Sequence, residues 1–80
     1  MTPDFQSSVD YIMILNNYLG RTKQLSGFRW QLTQDGLLQS PKHHAIAQLN
    51  GEMIGSGSGE SKNIAKKNAA FSALVHLGQL

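Results

Sequence analysis

Eighty residues with a formal charge of +2 and a pI near 9.2 make one small, mildly basic domain, so affinity for an anionic partner must come from a localised patch. The absence of cysteine excludes a disulfide framework and a cysteine-ligated metal site, and an intracellular setting, cytoplasmic or nuclear, is expected. The longest apolar run, residues 11–15, is far too short to span a membrane, so no membrane partner is expected.

Residues 1–7 are polar, contain Pro3 and read as a flexible lead, which leaves residues 8–78 for the domain. The spacing predicts a helix over 8–21. Tyr11, Ile12, Leu15, Tyr18 and Leu19 form its apolar stripe, and Gly20 or the polar run after it is the expected stop. Met13, Asn16, Asn17 and Gly20, at i, i+3, i+4 and i+7, lie on the other side of that helix. Phe28, Trp30 and Leu32 alternate with Arg29, Gln31 and Thr33 and predict a half-buried strand over 28–32. Asp35-Gly36 reads as a turn that opens a long connection through Pro41.

A second strand is expected over 44–49, with Ala45, Ala47 and Leu49 on one face. Asn50-Gly51 is a type I′ hairpin signal into a third strand over 52–56, and Gly55, Gly57 and Gly59 are expected to interrupt it beyond that. The final helix runs from 61 or 62 to about 77 and ends near Gly78, which suits a left-handed cap. The order α-β-β-β-α defines an α+β fold.

The start of that last helix carries the chemistry. Ser61 is placed to cap the unpartnered backbone N–H groups of the first turn, and Lys62 and Lys66, four apart, project from one face of it. Lysines at the positive end of a helix dipole cost stability, so their placement points to an anionic ligand such as phosphate.

Residues 57–74 resemble the C-terminal signature of the double-stranded RNA-binding domain family. Gly57, Gly59, Ser61, Lys62, Ala65, Lys66, Ala69, Ala70, Ala73 and Leu74 fall in its register. Asn63 stands where the family usually has a second lysine, and Lys67 supplies part of the missing charge. The resemblance covers about residues 8–77 and thins toward the N-terminus, where Leu15-Asn16-Asn17-Tyr18 followed by Phe28 carries it. It implies a three-stranded antiparallel sheet with both helices packed on one face.

The same resemblance implies a domain that binds A-form duplex RNA by shape, with little sequence specificity. The first helix, through Met13, Asn16 and Asn17, would enter one minor groove. The loop between the first two strands would enter the next, while Lys62, Lys66 and Lys67, with Asn63 beside them, would bridge the intervening phosphates. Asn17 takes a position often held by a glutamate, and its amide can both donate and accept toward ribose 2′-OH groups. Gly20 stands where a glutamine contact is common. Ser40-Pro41-Lys42-His43 resembles the family's Gly-Pro-x-His, yet counting back from Gly51 places the groove contact at Gln39. Gln39, Lys42 and His43 are therefore the candidate loop residues, with the choice between Gln39 and His43 open.

Other chemistries fit the residues less well. Adjacent His43 and His44 without cysteine or a spaced third ligand predict no metal site, and no cofactor is expected. The glycines before Lys62 lack the order of a nucleotide-binding P-loop. Asp4, Asp10, Asp35, Glu52 and Glu60 are dispersed, and no nucleophile is paired with a base, which argues for a binding domain over an enzyme. The alternative is a protein-interaction or homodimerisation module with weak or no RNA binding. It would use an outward apolar strip of Ile64, Phe71 and Val75, or the edge of the third strand, and Asn63 and Gly20 favour it by replacing expected RNA contacts.

Overall fold

The computed structural model describes residues 4–37 and 39–80. Helix α1 (Tyr11–Arg21) leads through a 3-10 turn (Leu25–Gly27) into strands β1 (Phe28–Leu37), β2 (Ser40–Leu49) and β3 (Glu52–Gly59), and helix α2 (Lys62–His76) closes the chain. The sheet is antiparallel with order β1-β2-β3. Both helices pack on one of its faces, as the resemblance implied.

Local chemistry sets the element ends. Asp10 caps α1 by accepting from the Met13 backbone N–H at 3.0 Å, so this helix starts three residues later than the periodicity alone predicts. It ends at Arg21, in the polar run after Gly20, as expected. Lys23, at φ 58°, takes the left-handed position after Thr22. The Gln24 N–H reaches the Leu19 carbonyl at 2.8 Å and the Lys23 N–H reaches Gly20 at 3.2 Å, the paired bonds of a Schellman ending. At α2 the expectations hold. Ser61 accepts from Ile64 N–H at 3.1 Å, and Gly78, at φ 75°, makes the same ending through Gln79 to Leu74 and Gly78 to Val75.

The expected long connection between the first two strands is absent. Leu37 pairs with Ser40, leaving only two residues between strands of ten residues each. Gly36 does take the left-handed φ of a turn residue, at 95°, but sits inside the ladder opposite Pro41. Pro41 is tolerated because β3 reaches only as far as His43, so residues 40–42 overhang the third strand and need no ladder bond on that side. The hairpin therefore projects as a two-stranded arm. At the other end Asn50 and Gly51, at φ 54° and 82°, form the anticipated type I′ turn.

Strand β3 extends to Gly59, three residues past its expected end. A bulge makes Ile54 the extra residue, since Gln48 pairs with Met53 and Ala47 with Gly55. From there Gly55, Gly57 and Gly59 face α2. A Cβ at Gly57 would lie 2.4 Å from the Ala69 backbone nitrogen, and one at Gly55 would lie 2.5 Å from that of Ala73. Here the glycines admit a helix rather than interrupt a strand. Ala65, Ala69 and Ala73, at i, i+4 and i+8, give the helix an equally slim face. Ala70 and Leu74, on its neighbouring face, meet Leu15 and Leu19 of α1 in the main core with Leu49 and Ile54.

Candidate nucleic-acid interface

The capped start of α2 leaves Lys62 and Asn63 exposed, while Lys66 and Lys67 are half-buried. Among the described residues the one contact of salt-bridge length to a carboxylate is that of His44 with Asp35, at 3.1 Å on the sheet face away from the helices. None of the three lysines of α2 thus has a carboxylate partner, and their charges remain available. The ammonium groups of these two half-buried lysines are nevertheless held. Lys66 Nζ lies 5.5 Å from the centroid of the Trp30 ring, whereas Lys67 Nζ lies 5.7 Å from that of Phe5 and donates to the Ser7 carbonyl.

Helix α1 contributes its outward side. With Tyr11, Leu15 and Leu19 fully turned into the core, Met13, Asn16, Asn17 and Gly20 are exposed, and Met13 retains 53% of its accessible surface. A shallow groove runs between this side and the start of α2, lined in part by Met13, Asn16, Asn17, Asn63 and Lys67. Five candidate residues from two elements thus converge on one surface.

The β1-β2 hairpin separates the remaining candidates. Gln39 stands exposed at its apex, Lys42 is exposed on β2, and His43 is half-buried on the helix side of β2 between Gln34 and Gly59. Lys42 and His43 are therefore strand residues rather than loop residues, and the His43 Nδ1 is buried without a hydrogen-bond partner. Of these three candidates, Gln39 alone lies in the turn between the strands. Because Gly59 pairs with His43, α2 begins about four strand residues, or about 14 Å, back from the apex.

The alternative apolar strip is divided. Ile64 is exposed, but Phe71 packs edge-on against Tyr11 and Phe5, at centroid distances of 5.0 and 5.4 Å, and Val75 is half-buried. Two contacts escaped sequence reasoning altogether: Trp30 beneath Lys66, and the lead residues Phe5 and Ser7 against Lys67. The one legible signal for the second was an aromatic residue in an otherwise polar lead.

A slim helix on an antiparallel three-stranded sheet, with a cap-and-lysine start beside an exposed helix face, is the architecture of a duplex RNA-binding domain. The profile of the Double-stranded RNA binding motif matches residues 11–77, and the chain belongs to that family, which is one of binding domains rather than catalytic ones. No curated protein matches the chain. Among solved structures, the solution structure of both dsRBDs of DRB4 with their linker resembles it with a TM-score of 0.69 at 19% identity. The likeness covers 99% of this chain and 50% of that one, so the chain spans half the length of that two-domain structure. At that identity the likeness concerns the fold.

Proposed function

We propose that this domain binds A-form double-stranded RNA by shape and with little sequence preference. Exposed Met13, Asn16 and Asn17 of α1 enter one minor groove, Gln39 at the hairpin apex enters the next, and Lys62, Lys66 and Lys67 neutralise the phosphates between them. Asn63 lines the α1–α2 groove and offers an amide in place of a cation, while Lys42 and His43 flank the contact from the arm. The observation that carries this reading is three lysines without carboxylate partners at the start of α2, one of which, Lys67, lines the groove along the exposed face of α1.

Titration of a labelled RNA duplex longer than about 16 bp, beside DNA duplex and single-stranded RNA of matched sequence, tests it. Selective binding to duplex RNA is expected, with a log–log salt slope of about −2.7 for three phosphate contacts on the duplex-DNA coefficient. Replacing Lys62 and Lys66 with alanine is expected to leave one contact and a slope of about −0.9, with most affinity lost. Binding that ignores the lysines, or shows no preference for duplex RNA, overturns the reading in favour of a protein-interaction module.

A further inference from the structure

Trp30 stands on the helix side of β1, but the slim α2 lies over β2 and β3 and leaves the first strand uncovered. The indole fills that flank. It packs against Ala45, Ala65 and Ala69, makes an edge-to-face contact with Phe28 at 5.2 Å, and carries the Lys66 ammonium 5.5 Å from its centroid. A carboxylate in this place would hold the lysine by cancelling its charge. An aromatic face holds it through the ring quadrupole and leaves the full charge to attract an anion. Part of the lysine's rotamer entropy is then surrendered on folding rather than on binding.

From this arrangement we propose that Trp30 is a positioning residue for duplex RNA: without touching the ligand, it fixes Lys66 where phosphate is met. The proposal rests on the duplex-binding reading above and adds a residue outside the groove-facing surface to it. Trp30 is the one tryptophan of the chain, so its emission reports the contact directly.

A double-mutant cycle tests the coupling, with Lys66→Met removing the charge while keeping the stem on the ring. In the wild-type background Lys66→Met is expected to weaken binding to a 20-bp RNA duplex about tenfold, the loss of one charge-assisted contact. In a Trp30→Leu background the same change is expected to cost less than about twofold, because the two residues act through one contact. Trp30→Phe, which retains a ring, is expected to restore most of the Lys66→Met penalty.

Equal penalties in both backgrounds, with wild-type binding intact, overturn the positioning role and leave the duplex reading standing. Failure of the wild-type domain to bind duplex RNA overturns both. Should Trp30→Leu fail to fold, emission decides: Lys66→Met is expected to shift it and Lys62→Met to leave it unchanged, and no shift with Lys66→Met overturns the proposal.

Discussion

Lys23 occupies a backbone conformation that suits glycine. Its φ of 58° costs an L-residue about 1–2 kcal/mol, against the smaller unfolded-state entropy cost that glycine brings. Lys23→Gly is therefore expected to raise stability by about 0.5–1 kcal/mol, measured by urea denaturation, without changing the fold. Gly57 is the converse case. Its hydrogens face the Ala69 backbone, where a Cβ has 2.4 Å instead of ordinary contact distance, and the obstacle is main chain that cannot rotate away. Gly57→Ala is expected to cost about 2 kcal/mol or more, by lifting α2 from β3, and the same denaturation experiment checks it. The sequence made Gly57 conspicuous but assigned it the wrong task, since a glycine that interrupts a strand and one that admits a helix look alike until the helix is placed.

At the scale of elements, what was legible followed periodicity and what was missed followed pairing. The stripe of α1 and the alanine face of α2 could be read directly, because burial recurs every three or four residues along one element. The extent of β1 and β2 could not, since residues 33–37 and 40–43 pair mainly with each other across an arm that has no apolar face to advertise it. Asp35-Gly36 was a true signal of unusual backbone and a false signal of where the chain reverses. The contacts of residues 5–7 were illegible for a related reason: they follow from Phe5, which packs at a tilt on Tyr11 at 5.1 Å and edge-on against Phe71 at 5.4 Å. Gln6 N–H also donates to the Tyr11 hydroxyl at 2.7 Å. Phe5→Ala is expected to lower stability by about 1 kcal/mol in a thermal melt. Duplex affinity is expected to be undiminished, because the Ser7 carbonyl that competes with phosphate for Lys67 is then less firmly held beside it.

For the molecule as a whole, the proposed contacts come from three elements whose relative placement is set by packing rather than by any one motif. The lysines were legible because they sit beside a helix cap, and Met13, Asn16 and Asn17 because they lie opposite a core stripe. Gln39 was named by counting from a turn, and where it and His43 sit along the arm depends on strand register, which requires the partner strand. The overhang of the β1-β2 arm beyond β3 now acquires a metric meaning. On the proposed duplex-binding reading, its apex and the start of α2 act as the jaws of a calliper whose opening is set in units of strand rise. Adding two residues to each strand between Leu37 and Ser40 preserves which side chains face inward and moves the apex outward by about 7 Å, whereas adding one to each reverses the faces. The lengthened arm is expected to shift the shortest RNA duplex bound at full affinity, read from a series of graded duplex lengths, while the lysine-dependent salt slope stays where it was.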